Sequence, residues 1–487
     1  MSEPVVHITG LHLRYHHKTV FQDLSWTINR GDNWLLRGSS GSGKTSLAKA
    51  IAGLIKFDGA VATHFDPQST LAPDAHYVAN WYQFKDLEGQ SNFYYQQRYN
   101  KQAEETTATV RAELENYGKT HQLDFPDAER LVDALGFSEL IDSTLIQLSS
   151  GEHKKLQLVE ALWYRPQLLI MDQPYNGLDK LSRQHLNALL EEITAAGTQL
   201  ILISNEKELP SSVNRFAEIK DGQVYETTAG HTADFGEETS MPVPEFLREG
   251  PVSLAESIVK MNNVNISYGD KQVLKNINWE IKPGEKWLLQ GHNGSGKSTL
   301  LSLITGDHPQ AYANDFYLFG HKRGSGESIW DIKKRMGLIS PELQWYFDPS
   351  ATVKQSIISG FFDSQGLFRE PNYTQRTQAD ELIAYFGLKE YQDTLMNQLP
   401  LGKQRLAFLA RTIIKNPELL ILDEPCQGLD QRQAQYFNKL VDELCSNGTT
   451  LIYVGHFESQ LPACIEKRIL LENGEVKSVE TILESIL

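Results

Sequence analysis

The sequence is poor in cysteine. Three thiols, Cys426, Cys445 and Cys464, are spread over 487 residues. Their odd number and spacing argue against a disulfide framework or a zinc site, and fit reduced thiols in the cytoplasm. Long apolar runs are missing as well. None approaches the roughly 18–20 residues needed to cross a bilayer, so a soluble chain is expected, and any membrane role would need a partner. The start, Met1-Ser2-Glu3-Pro4, lacks the basic flank and apolar segment of a secretory signal. Positive charge is short: 46 Lys and Arg against 62 Asp and Glu leave a net −16. That balance argues against a broad nucleic-acid-binding face.

What the chain does have is a long internal repeat. Gly291-His292-Asn293-Gly294-Ser295-Gly296-Lys297-Ser298 fits G-x-x-x-x-G-K-[ST], and Gly38-Ser39-Ser40-Gly41-Ser42-Gly43-Lys44-Thr45 fits it again. Each follows an apolar run, Trp287-Leu288-Leu289-Gln290 or Trp34-Leu35-Leu36-Arg37, and precedes a helix-forming one. The glycines let backbone N–H groups turn onto phosphate oxygens. The helix N-terminus adds partial positive charge, and the lysine a full one. Ser298 and Thr45 would each offer a hydroxyl to Mg2+. Lys44 and Lys297 lie 253 residues apart, so the repeating unit is a whole domain. The expected organisation is one domain over 1–230, a linker over 231–257 and a second domain over 258–487. From Asp221 to Ser257 there are eight acidic residues and one basic one, Arg248, which reads as an acidic, poorly structured linker with a small terminal element.

Other signals recur at matching offsets. Val5–Ile8, Leu11–Tyr15 and Val20–Ile28 read as short strands, and Val259–Asp270 with Val273–Ile281 repeats them. Tyr15 lies 29 residues before Lys44, and Tyr268 lies 29 before Lys297. Such an aromatic either stacks on a purine ring or packs at a strand edge. Gln167–Asp172 and Glu418–Asp423 each read as a buried parallel strand ending in a carboxylate, the place where open parallel sheets bind ligands. Asp172 and Asp423 are thus placed to hold Mg2+ through its water shell. Asn205 and His456 each follow 33 residues later. The regions Phe84–Tyr164 and Thr352–Lys415 read as helical. Within the first, the aromatic-rich Asn92–Tyr99 fits a helix stripe or a protein-facing surface better than a base-stacking platform.

Leu148-Ser149-Ser150-Gly151-Glu152 precedes Asp172, and Leu399-Pro400-Leu401-Gly402-Lys403-Gln404 precedes Asp423. With these segments, nearly the whole chain resembles the ATP-binding-cassette ATPases, twice. Thr305–Gln310 with Gly324–Asp331 is similar to a tandem group associated with molybdate transport genes. The resemblance implies an α/β chain of two P-loop NTPase domains, each a RecA-like parallel core with an antiparallel β subdomain and a helical subdomain. It implies ATP and Mg2+ as cofactors, hydrolysis of ATP to ADP and phosphate, and intramolecular head-to-tail pairing of the halves. Each ATP would then lie between the loop of one half and the signature segment of the other.

The two sites so implied are unequal. One takes Lys297, Ser298, Asp423, Glu424 and His456 from the second half and Ser149 and Gly151 from the first. Glu424 would polarise the attacking water, and His456 would contact the γ-phosphate. The other takes Lys44, Thr45, Asp172, Gln173 and Asn205, with Pro400 in the facing segment. Gln173 and Asn205 replace the acid and the histidine, and Pro400 removes a hydroxyl and an N–H. The partner-coupling glutamine stays open between Gln83 in the first half and Gln344 or Glu342 in the second. One expected role is energy coupling to a separate membrane permease, from the cytoplasm or the inner membrane face. The alternative is a soluble switch acting on a macromolecule such as the ribosome, against which the acidic linker counts. The sequence names no transported substrate.

Overall fold

The computed structural model describes residues 3–15, 18–39, 41–80, 107–206, 208–228, 242–268, 271–341, 347–348, 350–364, 366–455 and 461–482. They fall into two units, the first ending at Thr228 and the second beginning at Pro242 among these residues.

The first unit is built on a six-stranded sheet. Its spatial order is Ala72–Val78, Pro166–Asp172, Gln199–Ile203, Trp34–Arg37, Arg215–Lys220, Gln223–Thr227. All neighbours are parallel except the last pair, a hairpin. The strand Pro166–Asp172 is buried at every position, as expected where both faces of a parallel sheet are covered. Alternate residues feed different cores. Leu168 and Ile170 face a cluster with Trp26, Trp34 and Leu47, whereas Leu169 and Met171 face one with Leu114, Leu158 and Trp163. The first cluster lies under a three-stranded antiparallel sheet, Lys18–Asn29, Pro4–Tyr15, Asp58–Thr63. The second lies under the helices Val110–His121, Phe125–Ala134 and Ser150–Tyr164.

The second unit repeats this plan. Its sheet runs Met336–Ile339, Leu419–Asp423, Thr450–Val454, Lys286–Gln290, Lys467–Glu472, Glu475–Thr481. Its antiparallel sheet runs Lys271–Ile281, Val259–Tyr268, Asp315–Leu318, His321–Lys322. Helices Val353–Ser359, Tyr373–Tyr385 and Leu401–Ile413 cover the other face. A tryptophan pair joins the two sheets in each half: Trp26 meets Trp34 edge-on at 5.1 Å, and Trp279 meets Trp287 at 5.6 Å.

One local feature differs from the expected pattern. The two short strands expected at Val5–Ile8 and Leu11–Tyr15 are one strand, whose register shifts between Ile8 and Leu11. Gly10, at φ 57°, carries the bulge that lets pairing continue. Towards the end of the acidic stretch, a short helix, Glu245–Arg248, packs on the second unit. Leu247 is buried there, Asn447 Nδ2 donates to Leu247 O at 2.6 Å, and Asn416 Nδ2 donates to Glu249 O at 3.1 Å.

Candidate functional site

Each glycine-rich loop ends on a glycine that starts a helix. Gly43 (φ 107°) precedes Lys44–Ile51, and Gly296 (φ 100°) precedes Lys297–Ile304. Both the left-handed backbone and the space require glycine. A Cβ at Gly43 would meet Phe21 Cζ at 2.5 Å, and one at Gly296 would meet Leu274 Cδ2 at 2.7 Å. Neither helix start carries a side-chain cap, so its first N–H groups suit an anion. Lys44 Nζ donates to Gly38 O at 2.7 Å and Ser39 O at 2.8 Å. Lys297 Nζ does the same to Gly291 O at 2.7 Å and His292 O at 2.9 Å. Each ammonium thus lies across its own loop. Gly41, Ser42, Asn293, Gly294 and Ser295 complete the described loops, while Ser40 lies outside the described residues.

Beside the first loop, Thr45 Oγ1 donates to Asp172 Oδ2 at 2.5 Å, and Tyr77 OH donates to the same oxygen at 3.2 Å. Asp172 ends its strand and is buried. Burial first, then the Asp172 charge, pushes the Tyr77 phenol well above its ordinary pKa, so the hydroxyl stays a donor. Ser298 and Asp423 hold the equivalent chain positions in the second half. A hydroxyl and a carboxylate converging in this way are hard oxygen donors, and they fit Mg2+.

The next residue is strained in both halves. Gln173 has φ 50° and Glu424 φ 45°, in the left-handed region. For a residue with a Cβ this costs about 1–2 kcal/mol, and such strain clusters at functional sites. The neighbouring strand holds both turns: Gln173 N donates to Ile203 O at 2.9 Å, and Glu424 N donates to Val454 O at 3.1 Å. Glu424 Oε2 also accepts from Gln427 Nε2 at 2.8 Å. Asn205 is half-buried two residues past Gln199–Ile203; His456, its counterpart, lies outside the described residues.

The signature segments start helices. Ser149 caps Ser150–Tyr164 by accepting from Glu152 N, while Glu152 Oε2 accepts from Ser149 N at 2.7 Å. Gly151 is buried in the first turn. Pro400 caps Leu401–Ile413 with no side-chain hydrogen bond. Three residues past the shared glycine each helix buries a cation that the sequence reading missed. Lys154 Nζ donates to Ala79 O at 2.9 Å, Asn80 O at 3.2 Å and Gln157 Oε1 at 3.0 Å. Arg405 Nη2 donates to Gln427 O at 3.0 Å. Burial pushes Lys154 down to about 7 and Arg405 to about 10, while the charges of Asp172 and Glu424 respectively resist the shift. The available signal was a basic residue facing inward on an otherwise apolar helix stripe.

The paired tyrosines differ. Tyr15 is exposed at the end of its strand, where it pairs with Lys18, and its hydroxyl has no hydrogen bond among the described residues. Tyr268 is 38 % exposed, and its hydroxyl lies 2.8 Å from His308 Nε2. His308 Nδ1 accepts from Gln310 N at 3.2 Å, so Nε2 carries the proton and donates to the tyrosine oxygen. Gln310 also bridges the backbone of Ser267: Nε2 donates to Ser267 O at 2.7 Å, and Oε1 accepts from Ser267 N at 3.2 Å. Burial holds His308 neutral, down to about 4. Gln83, Glu342, Gln344, Asn92–Tyr99 and the linker before Pro242 lie outside the described residues. Among the described residues, no helix is long and apolar enough to cross a membrane.

The family model described as ABC transporter matches residues 21–176 and again 274–427. The chain is 37 % identical over 469 residues to the ABC transporter ATP-binding protein ModF of Escherichia coli, covering 91 % of this chain and 92 % of ModF. It is 30 % identical over 472 residues to an uncharacterised ABC transporter ATP-binding protein of Schizosaccharomyces pombe, covering 94 % of this chain and 96 % of that one. A structure of CbiO1 from Clostridium perfringens, part of the ABC transporter complex CbiONQ, is 25 % identical with a TM-score of 0.42, covering 47 % of this chain and 91 % of its own.

Proposed function

The chain belongs to the ATP-binding-cassette ATPases, in tandem form, and from that premise we propose that its halves divide the work: the second hydrolyses ATP and the first holds it. The observation that carries this reading is the pair Glu424 and Gln173. Their backbones are alike, with φ 45° and 50° and the same N–H bond to the neighbouring strand. Only the side-chain chemistry differs. A carboxylate can take a proton from water, whereas an amide can orient water without accepting its proton.

At the second loop, the Lys297 ammonium and the helix N–H groups would hold the terminal phosphates. When bound, Mg2+ would offset phosphate charge, with Ser298 and Asp423 as its protein contacts. Glu424 would polarise a water in line with the γ-phosphorus. A P–O bond to that water forms, the bond to the ADP oxygen breaks, and Glu424 takes the proton. His456 would contact the γ-phosphate. Ser149 and Gly151 would close over it if the halves pair head to tail. At the first loop, Lys44, Thr45 and Asp172 retain what binding needs, while Gln173, Asn205 and Pro400 lack what turnover needs. On this reading the chain is the energy-coupling ATPase of a separate membrane permease, a role supported by the transporter names of its relatives.

Turnover assays test the division. Glu424→Gln is expected to lower the rate about 10²–10⁴-fold, the usual contribution of a general base. Gln173→Ala should leave most of it. Loss of turnover from Gln173→Ala alone would reverse the assignment. A permease recovered with the chain from native membranes tests the coupling role.

A further inference from the structure

We propose that Gln427 is a positioning residue for ATP hydrolysis: its side-chain amide holds the Glu424 carboxylate in place, and Arg405, on the helix Leu401–Ile413, holds Gln427. This rests on the reading that Glu424 is the base of the second half. Glu424 leaves its strand at φ 45° and opens a tight turn, which Gln427 N closes by donating to Glu424 O at 3.1 Å. The turn brings the Gln427 side chain back over the residue that began it, and Gln427 Nε2 donates to Glu424 Oε2 at 2.8 Å. The last torsion of a glutamate is broad and soft. A donor fixed on one carboxylate oxygen therefore decides where the other one points, and a base works only when it points at its water.

The turn is anchored from behind. Arg405 is buried, and its Nη2 donates to Gln427 O at 3.0 Å. A second detail separates Gln427 from a residue that only fills space. Its Oε1 is buried and has no hydrogen-bond partner among the described residues. An unmet buried oxygen costs stability, and an apolar side chain of similar size would avoid that cost. The only side-chain bond the glutamine makes is the one to Glu424. The first half puts the same two places to other use. Asn176 stands three residues past Gln173, as Gln427 does past Glu424, and Lys154 stands three past Gly151, as Arg405 does past Gly402. Asn176 Nδ2 donates to Asn80 Oδ1 at 2.7 Å, and Lys154 Nζ donates to Asn80 O at 3.2 Å. Both tie to the chain just past the strand Ala72–Val78, not to residue 173.

Single-turnover hydrolysis and ATP affinity, both measured on the full chain, test the proposal. Gln427→Leu keeps the bulk and removes the amide. It is expected to slow the chemical step roughly tenfold or more, the scale of a hydrogen bond to a charged group. ATP affinity should stay within about twofold, since the lost contact acts on the base and not on the nucleotide. In a Glu424→Gln background the same substitution should slow the residual rate no further, because the carboxylate it positions is gone. Arg405→Lys keeps a cation on the helix but not the guanidinium fork; it should slow the step too, and that loss should also vanish in the Glu424→Gln background. A full rate with Gln427→Leu, a loss confined to ATP affinity, or an equal loss with and without Glu424 overturns the proposal and leaves Glu424 as the base. Full turnover by Glu424→Gln alone instead overturns the reading beneath it, and the proposal with it.

Discussion

Gln173 and Glu424 end equivalent strands, turn through the same left-handed backbone and bond to the same neighbouring strand. Around them the halves diverge. The first surrounds its aspartate with Thr45 and Tyr77 hydroxyls and a buried lysine. The second pairs Leu338 with Ile421 where the first pairs Tyr77 with Ile170, and it has a buried arginine and a glutamate where the first has a glutamine. The contrast teaches that scaffold and chemistry vary separately. The left-handed turn costs similar strain in either half, and each half presents a different group on it.

If the scaffold is shared, breaking it should cost the same on both sides. Trp34→Ala and Trp287→Ala remove matching edge-on partners, and each is expected to cost about 3–5 kcal/mol of its own unit's stability in urea unfolding. A large inequality would break the comparison at its base. Next come the lysines. Lys297→Ala should lower turnover about 10²–10³-fold, the usual loss for a group that stabilises transition-state charge. Lys44→Ala should spare most of the rate while removing one bound nucleotide, which equilibrium dialysis would count.

Acid should separate the halves further. His308 is held neutral by burial, down to about 4, below its ordinary value near 6.5. The unfolded chain therefore binds the extra proton first. The contribution is present above about pH 6.5 and is lost as pH falls towards 4, on the order of 2–3 kcal/mol by linkage. Calorimetry between these limits should show the second unit weakening more, and His308→Gln should flatten the difference. The smallest effect is at the helix starts. Ser149→Ala should cost about 1 kcal/mol for the lost cap, while Pro400→Ser should gain a fraction of that.

The loops and the aspartate strands were readable because phosphate binding needs contiguous residues in a fixed order. Their strands were readable because parallel sheets buried on both faces produce unbroken apolar runs. Tyr77 was not readable. Its meeting with Asp172 depends on the register of two strands far apart in sequence, and spacing along the chain carries no trace of it. The same holds for His308, whose partner Tyr268 precedes it by 40 residues. Thr305–Gln310 drew notice as a pattern, yet its work of gripping Ser267 and Tyr268 appears only once the antiparallel sheet is folded. The strand break expected at Gly10 failed for a simpler reason: a bulge absorbs the irregular residue that a local pattern reads as an end.

The short helix Glu245–Arg248 has a practical consequence. Leu247 lines a hollow together with Ile413, Leu420 and Leu444, and Asn447 Nδ2 donates to its carbonyl. A second half expressed from residue 258 would open that hollow to solvent and leave Asn447 without its acceptor. Expressed from residue 242, it would keep that wall, so the site of the cut decides whether an isolated half is a fair stand-in for the one in the intact chain.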